Sequence, residues 1–331
     1  MAEKVARTKK APTDRRKRKA ETQPPVETPP IGEELFPVVA VGASAGGLEA
    51  FEQLFKNLPS TTHAAFVVVS HLDPTHASIM TELISRFTSM AVQEAADGVE
   101  VEPDHVYVIP PNKDLSIFHG RLQLTEQEKS AGPHMPIDFL LRSLAEDQGD
   151  RAVVIILSGT GSDGTLGLRA VQGAGGTVFV QDPSDARYDG MPRSAIRTGL
   201  ADHILPVEEI SRQLVALLER YRTRKELPPD EGMPPIMQKI LMAVRSKTGH
   251  DFSLYKKNTV IRRVQRRINV HNIENLAVYL RYLQEHPEEV QQLFKELLIN
   301  VTSFFTISLP IIPLGYGCRD APPARRRIRL P

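Results

Sequence analysis

Continuous apolar runs, each followed by a segment with helical spacing, dominate the sequence from residue 36 to residue 221 and most restrict its fold. The apolar runs cover residues 38–41, 65–70, 106–109, 153–157 and 177–180. The helical segments between them cover residues 48–57, 78–87, 137–147 and 164–172. Uninterrupted apolar strands are typical of a parallel sheet that is buried on both faces. The alternation of strands and helices therefore predicts a doubly wound α/β domain with a mostly parallel sheet.

Two further patterns complete the predicted organisation. His119-Gly120 separates two alternating segments, 115–118 and 121–124, which predicts a two-residue hairpin attached to the sheet. Beyond a group of prolines the apolar residues recur at helical spacing, which predicts a small all-α domain. We therefore divide the chain into a basic, proline-rich disordered arm (1–35), an α/β domain (36–222), a proline-rich linker (223–235), a helical domain (236–305) and an irregular tail (306–331).

Charge and cysteine content narrow the function classes. The formal net charge of the 331 residues is +1, so the whole chain gives no reason to expect a specific nucleic-acid binder. The basic arm is compatible with a solvated tail or with a weak contact to phosphate or an anionic membrane. The single cysteine, Cys318, excludes an internal disulfide and a cysteine-based zinc site. No apolar run approaches the roughly 20 residues of a membrane span, so we expect a cytoplasmic protein without membrane insertion.

The segment VVAVGASAGG joins the first apolar run to the first helical segment and places Ser44 at the apex of a sharp turn. Gly42 and Gly46 allow tight backbone angles, and the serine hydroxyl is expected beside a helix N-terminus. A Gly-x-Ser-x-Gly turn between a strand and a helix is typical of a nucleophile elbow. A glycine-rich turn that binds the phosphates of a dinucleotide, or simply a tight turn, is the alternative at this point.

Ser44 needs a base, and a group that orients the base, before its hydroxyl can act as a nucleophile. The run 65–70 leads directly into His71, and the run 153–157 leads within a few residues to Asp163. Open α/β sheets place their sites at the carboxyl ends of the strands, so the three residues are expected at one edge. This coincidence favours a serine hydrolase. The chain order Ser, His, Asp differs from that of the α/β-hydrolases, so that fold is not implied.

The same residues also have structural interpretations. His71, Asp73 and His76 form a His-x-Asp-x-x-His pattern that is compatible with a metal site, but no further ligand cluster accompanies it and we predict no metal. Asp163 is a candidate N-cap of the helix that begins near Gly164. The glycines around Asp163 are compatible with a phosphate cradle, but no lysine follows them as in a P-loop.

Four segments occur in the order VVAVGASAGGLEAF, SHLDPTHAS, LSGTGSDGTLGLRAV and QDPSDARYDGMPRSAI. Together they resemble the catalytic domain of the chemotaxis protein-glutamate methylesterases, the CheB-type family, over about residues 36–221. The resemblance implies that Ser44 is the nucleophile, His71 the base and Asp163 the group that orients the base.

The resemblance also implies supporting roles. The backbone N–H groups of Ala45 and Thr160 are expected to form the oxyanion hole, and Met191 and Pro192 are expected in a loop that closes over the site. The family often has methionine at the position of Thr160. A backbone N–H survives that change, so we expect activity to persist with an altered substrate fit.

The implied reaction is hydrolysis of a glutamate γ-methyl ester with release of methanol, without a cofactor. Deamidation of glutamine is a second reaction to test. The implied partner is a methylated chemoreceptor or a related signalling protein.

The segment YKKNTVIRRVQRRI carries arginines in a band opposite an apolar stripe, and these are Arg262, Arg263, Arg266 and Arg267. A solvated helix face and a docking surface for an acidic partner are both compatible with this band. Together with LFKELLINVTSFF, the segment resembles the N-terminal helical domain of the chemotaxis receptor methyltransferases, the CheR-type family, over about residues 236–305. In that family the basic helix contacts the receptor, so the resemblance implies receptor docking by these arginines.

Two absences in the sequence shape our expectations. No glycine-rich turn for S-adenosylmethionine follows the helical domain, so the chain resembles a fusion that is cut short, and we expect no methyltransferase activity. About 35 residues precede the α/β domain, too few for a receiver domain, so we expect no regulation by phosphorylation within the chain. The competing functions are a receptor-docking scaffold with an inactive α/β domain and a dinucleotide-binding oxidoreductase. The oligomeric state is not predicted.

Overall fold

The computed structural model describes residues 36–70, 77–127, 134–223 and 233–298. The predicted arm (1–35), most of the predicted linker and the predicted tail (306–331) with Cys318 lie outside these described residues. Within the described ranges, no helix has the length and apolar character needed to cross a membrane.

The elements follow one another along the chain in the order that the sequence pattern indicates. The strands are β1 (Val38–Ala43), β2 (Ala65–Ser70), β3 (Ala91–Glu94), β4 (His105–Val108), β5 (Lys113–Phe118), β6 (Arg121–Glu126), β7 (Ala152–Ile156), β8 (Thr177–Gln181) and β9 (His203–Leu205). The helices are α1 (Gly47–Lys56), α2 (Ala77–Ser85), α3 (Pro136–Gln148), α4 (Thr165–Ala174), α5 (Gly190–Arg197), α6 (Val207–Thr223), α7 (Pro235–Thr248), α8 (Lys257–Val270), α9 (Leu276–Glu285) and α10 (Pro287–Leu298).

One seven-stranded sheet organises the α/β part. Its strand order is β3-β4-β2-β1-β7-β8-β9, and every neighbouring pair is parallel. This confirms the predicted doubly wound α/β fold. The sequence pattern does not predict β3 and β9, which are short, lie at the two edges and carry partly exposed side chains. A search for continuous apolar runs finds strands that are buried on both faces and misses edge strands of this kind.

Helices cover both faces of the sheet because the central strands are buried on both sides. Every residue of β1, β2 and β7 is buried. On one face, Phe51 and Leu54 of α1 pack with Leu214 of α6 in one hydrophobic core. On the other face, Leu140 of α3 and Leu168 of α4 belong to a second core. A site is therefore expected at the ends of the strands, where the loops are.

The predicted hairpin is confirmed as β5 and β6, which pair in antiparallel register. Its turn residues His119 and Gly120 have φ values of 50° and 69°, as a two-residue turn with both central residues in the left-handed region requires. The hairpin packs on α3, where the Ile117 N–H donates to Ser143 Oγ at 3.1 Å and the Gly120 N–H donates to the Asp147 carboxylate.

The helices α7 to α10 share a hydrophobic core of their own, to which Met237, Val264, Tyr279 and Leu293 contribute. The predicted all-α character of this segment is confirmed. The boundaries of the α/β and helical domains at residues 222 and 236 stay predictions.

The basic helix α8 packs against the α/β part. Arg263 donates to the carbonyl oxygens of Gln172 and Gly173 in the last turn of α4. Such carbonyls have no partner inside their own helix, and a cation at a helix C-terminus also interacts favourably with the helix dipole. Arg266 Nε donates to the carbonyl oxygen of Gly176 at 2.8 Å, directly before β8.

Arg266 is also the centre of a buried ion cluster. Its guanidinium contacts the carboxylates of Asp202, directly before β9, and Glu296 of α10. The side chain of Arg266 is 0% exposed, and those of Asp202 and Glu296 are 4% and 7% exposed. The cluster therefore ties α8 and α10 to the amino-terminal ends of the sheet strands.

This packing corrects the predicted docking surface. Arg263 and Arg266 are buried and cannot present their charges to an acidic partner in this arrangement. Arg262 is exposed, and Arg267 is half-buried beside Glu289 and Glu296. The helical spacing of the arginines is compatible with burial and with exposure, because their carbonyl partners, in α4 and directly before β8, lie about 90 residues earlier in the chain.

His203 lies beside this cluster. Its lowered pKa predicts that the stability of the folded protein falls in acid. Its ring stacks on Phe179 with the centroids 4.7 Å apart. Burial, and then the charges of Arg266, His271, Arg220 and Arg267, lower the pKa of His203 from 6.5 to about 4. As the pH falls, His203 is therefore protonated at a higher pH in the unfolded chain than in the folded protein. The contribution of a neutral His203 to stability is complete above about pH 6.5 and is lost as the pH falls through 4.

We therefore expect His203→Phe, which keeps a stacked ring without a titrating nitrogen, to flatten the acid limb of the stability curve. The difference in unfolding free energy between wild type and variant should change by up to about 3 kcal/mol between pH 6.5 and pH 4. Urea unfolding at a series of pH values measures it. Parallel curves for the two proteins over that interval would contradict the assignment.

Candidate active site

Ser44 lies in a tight turn between β1 and α1. Its N–H donates to the carbonyl oxygen of Ser158 at 3.0 Å, and its own carbonyl oxygen accepts from the Gly47 N–H at 2.9 Å. Gly46 at the N-cap of α1 has φ 72°, a left-handed conformation that glycine adopts at no steric cost. Ser44 itself is only half-buried. The predicted sharp turn with an accessible serine beside a helix N-terminus is what the structure contains.

Ser158, two residues after β7, holds this turn in place. Its hydroxyl donates to the carbonyl oxygen of Ala45 at 2.9 Å and accepts from the Tyr188 N–H at 3.0 Å. The residue is 1% exposed. A Cβ at Gly46 would lie 2.8 Å from Ser158 Oγ and 2.9 Å from a Tyr188 ring carbon. The glycine is therefore needed for protein packing, which weakens the alternative of a turn that cradles a phosphate.

Gly159 brings the turn after β7 against Ser44. A Cβ at Gly159 would lie 3.0 Å from Ser44 Cβ and would overlap the sulfur of Met191. The carbonyl oxygen of Gly159 accepts from the Met191 N–H at 2.8 Å, and its N–H donates to Tyr188. The Ser44 turn, the turn after β7 and the segment that carries Tyr188 and Met191 thus meet here.

We expect Gly159→Ala to disturb this contact. The added methyl group must displace Met191 or the Ser44 turn, and overpacking of this kind costs about 1–3 kcal/mol of unfolding free energy. Urea unfolding of Gly159→Ala, Met191→Ala and the double variant measures the effect. The double variant should be more stable than the sum of the two single losses predicts. Strict additivity would show that the Met191 contact is not the cause.

Asp163, which is 5% exposed, is held by backbone N–H groups. Its carboxylate accepts from Ile137 and Asp138 in the first turn of α3, both at 3.0 Å, and from Gly164 at 2.8 Å. Hydrogen bonds to the charged form, together with the positive end of the α3 dipole, stabilise the ionised carboxylate. The alternative interpretation of Asp163 as the N-cap of α4 does not hold, because Gly164 is that N-cap and the Asp163 side chain accepts the first N–H groups of α3.

The strand ends that lead to the candidate residues lie side by side. Ala43 of β1 pairs with Ser70 of β2, and Gly42 pairs with Ile156 of β7. His71 follows Ser70 directly but lies outside the described residues, as do its rivals in the predicted His-x-Asp-x-x-His pattern. Among the residues that are described, no group of three or more His, Cys, Asp or Glu side chains could hold a metal ion.

The N–H groups of Ala45 and Thr160 are not engaged elsewhere in the described part of the chain. Neither donates a hydrogen bond to a described residue. Ala45 begins the turn into α1, and Thr160 is exposed in the turn after β7. Within the described ranges, both groups are therefore available to donate to a ligand at the carboxyl ends of the strands.

Met191 and Pro192 are in a different element from the predicted loop. They belong to the first turn of helix α5, and both are buried. Proline suits a first helical turn because it needs no N–H partner there, and the preceding Asp189 is the N-cap. Met191 packs beneath Gly159 and supports the turn after β7 from inside the protein.

Comparison with known proteins identifies this arrangement. A family model described as CheB methylesterase matches residues 39–214 of the chain. The chain belongs to the CheB methylesterase family. A second family model, described as the all-alpha domain of CheR methyltransferase, matches residues 236–298. The two predicted resemblances are confirmed, and they follow one another along the chain in the predicted order.

Individual relatives agree with the CheB family. The solved catalytic domain of the Thermotoga maritima CheB methylesterase has 33% identity and a TM-score of 0.52, and the match covers 55% of this chain and 98% of that one. The protein-glutamate methylesterase/protein-glutamine glutaminase 1 of Xanthomonas campestris is 34% identical over 189 residues, which are 56% of this chain and 52% of the relative.

A longer relative matches a larger share of the chain. A protein of Rhodobacter capsulatus, described as an uncharacterized 104.1 kDa protein in the hypE 3′ region, is 36% identical over 249 residues. The match covers 68% of this chain and 26% of the relative. The chain thus spans about half the length of the Xanthomonas methylesterase and a quarter of the Rhodobacter protein.

Sequence reasoning missed the groups that support this CheB-family site. Ser158 is the clearest case, because it lies two residues after a buried apolar strand. Its N–H donates to Gln181 Oε1 at 2.8 Å, and Gln181 Nε2 donates to Asp185 at 2.9 Å. These buried polar residues at strand ends were the available signal. The second missed residue, Asp138, carries no such signal because it lies inside a helix.

Proposed function

We propose that this CheB-family chain is a protein-glutamate methylesterase that acts in the cytoplasm on a chemoreceptor or a related signalling protein. The name of the Xanthomonas relative and the description of the Thermotoga structure support the ester-hydrolase activity. The all-alpha CheR segment supports a receptor as the partner.

One observation carries the proposal of a serine mechanism. The Ser44 turn and the turn that leads to Asp163 are in contact, joined by the hydrogen bond from the Ser44 N–H to Ser158. The two turns follow β1 and β7, which are neighbours in the sheet. His71 is the proposed base because it directly follows β2, the neighbour of β1 on the other side.

The proposed reaction proceeds in two halves. Ser44 Oγ attacks the ester carbonyl while His71 takes the hydroxyl proton, and the N–H groups of Ala45 and Thr160 bind the oxyanion. The intermediate expels methoxide, which takes the proton from His71 and leaves as methanol. Water, activated by the same histidine, then attacks the acyl-enzyme and releases the glutamate carboxylate and Ser44. Loss of one oxyanion donor typically raises a barrier of this kind by about 2.7–4 kcal/mol.

The same machinery supports a second reaction. Attack of Ser44 on a glutamine side chain would release ammonia in place of methanol and give the same acyl-enzyme. The Xanthomonas relative is named for both reactions. We therefore include glutamine deamidation in the proposal.

A fluorophosphonate probe and a methanol assay test the proposal together. The wild-type chain should form a covalent adduct at Ser44, located by peptide mass spectrometry, and should release methanol from a receptor fragment with glutamate methyl esters. A chain that binds the fragment but gives neither adduct nor methanol would be the receptor-docking scaffold. The close approach of Ser158 and Tyr188 to Gly46 favours the ester hydrolase over the oxidoreductase alternative.

We also propose that segment 236–298 does not transfer methyl groups by itself. The family model that it matches describes the all-alpha domain of CheR methyltransferase. Transfer of label from S-adenosylmethionine to a receptor fragment would contradict this.

A further inference from the structure

Asp138 is a buried carboxylic acid beside Asp163 that the proposed reaction does not use. It lies in the first turn of α3 and is 2% exposed. Its Oδ1 accepts from the Gly167 N–H at 2.7 Å. Its Oδ2 has no hydrogen-bond partner within the described part of the chain. A polar side chain buried at this cost calls for a reason.

Asp138 and Asp163 exchange helix caps. Asp163, two residues before the start of α4, accepts the N–H groups of Ile137 and Asp138 in α3. Asp138, in α3, accepts the N–H of Gly167 in the first turn of α4. The first N–H groups of a helix have no partner within it, so each carboxylate satisfies donors of the other helix. The two side chains thereby fix the two helix starts to each other.

The charges around Asp138 agree with this reciprocal arrangement. Burial raises the pKa of Asp138, the hydrogen bond from Gly167 counteracts that rise, and the negative charge of Asp163 adds to it. The positive charge of Arg142, one turn further along α3, lowers this pKa. The N-termini of α3 and α4 supply the remaining positive potential for two adjacent carboxylates.

We propose that Asp138 is a positioning residue for the hydrolytic site, because its bond to α4 fixes the turn that carries Thr160 and Asp163. This rests on the proposed function. The turn from Ser158 to Gly164 has Ser44 at one end and the start of α4 at the other. If the α4 start moves, the Thr160 N–H and the Asp163 carboxylate move with it. A misplacement of about 1 Å in such a site can cost about 100-fold in rate.

Asp138→Ala, Asp138→Asn and the matched control Asp147→Ala test the proposal. Asp147 lies on the same helix and also accepts a backbone N–H, that of Gly120, but at the hairpin end. In Asp138→Ala, kcat should fall by about 10- to 100-fold with KM within about twofold. Asp138→Asn keeps an acceptor for Gly167, so its kcat should stay within about fivefold of wild type. Asp147→Ala should retain wild-type kcat. All assays are run under conditions in which circular dichroism shows that each variant is folded.

Amide hydrogen exchange at Gly167 gives a readout that does not depend on activity. Protection should fall in Asp138→Ala and persist in Asp138→Asn and Asp147→Ala. Wild-type kcat in a folded Asp138→Ala, or unchanged Gly167 protection, would overturn the proposal. Loss of kcat in Asp138→Asn with full protection would also overturn it, since charge rather than the hydrogen bond would then matter.

Two remaining cases also give a decision. If Asp138→Ala does not fold, Asp138→Ser replaces it, because the serine hydroxyl is too short to reach the Gly167 N–H. If the wild-type chain neither hydrolyses the ester nor reacts with the probe, the proposed function fails, and the Gly167 exchange rates alone decide whether Asp138 holds α4.

Discussion

Replacing Ser44 with alanine is expected to abolish both the fluorophosphonate adduct and the release of methanol. Removal of a serine nucleophile lowers kcat by about 10⁶-fold in enzymes with a Ser-His-Asp triad, so the proposed mechanism predicts a rate at the detection limit. The side chain of Ser44 makes no hydrogen bond with another described residue that the fold would lose, since the turn is held through its backbone. The unfolding free energy should therefore change by less than about 0.5 kcal/mol.

Ser85→Ala is the matched control for this experiment. Ser85 is an exposed serine at the end of α2, and its hydroxyl bonds only to a carbonyl oxygen of its own helix among the described residues. This variant should keep wild-type activity and probe labelling. Methanol release by Ser44→Ala at the rate of Ser85→Ala would refute the assignment of Ser44.

Replacing Arg266 with methionine is expected to destabilise the protein by about 3–5 kcal/mol, because it leaves a buried carboxylate without its cation. Asp202 loses its ion pair, whereas Glu296 keeps a hydrogen bond from Arg267 Nη1 at 3.0 Å. Burial already raises the pKa of Asp202, and Arg266 opposes that rise. Without Arg266 this pKa rises further, so the variant should lose most stability at neutral and alkaline pH and recover part of it in acid.

A second substitution identifies the cause of that loss. Asp202→Asn removes the unpaired charge and keeps an acceptor for the Val178 N–H, which now donates to Asp202 Oδ2 at 2.8 Å. In the Arg266→Met background it should restore several kcal/mol, measured as the shift in the urea midpoint. Arg262→Met is the matched control on the exposed side of α8, with an expected change below about 0.5 kcal/mol. If Arg266→Met and Arg262→Met unfold at the same urea concentration, the buried cluster contributes nothing.

The sequence carries strong information about the centre of this fold and weak information about its edges. Continuous apolar runs identify β1, β2, β4, β7 and β8 because these strands are buried on both faces. The strands β3 and β9 are not predicted, because partly exposed positions do not form a continuous apolar run. Helix α5 escapes because its eight residues include glycine and proline, which also suit a loop.

The site divides in the same way. Strand ends identify Ser44 and Asp163 because topology alone brings the carboxyl ends of neighbouring parallel strands together. The partners of Asp163 are backbone N–H groups of α3, about 25 residues earlier, and no side-chain pattern announces them. The burial of Arg263 and Arg266 is hidden for the same reason. A helical wheel locates charges on a helix but not the helix end that they will meet.

The buried cluster around Arg266 attaches α8 at the strand beginnings, whereas Ser44 follows a strand end. A five-residue strand such as β7 is about 16 Å long, so the two regions occupy opposite poles of the sheet. The contacts of Arg266 therefore hold α8 and α10 at the end of the strands opposite Ser44. A ligand that binds beside this cluster is expected to leave the reactivity of Ser44 unchanged.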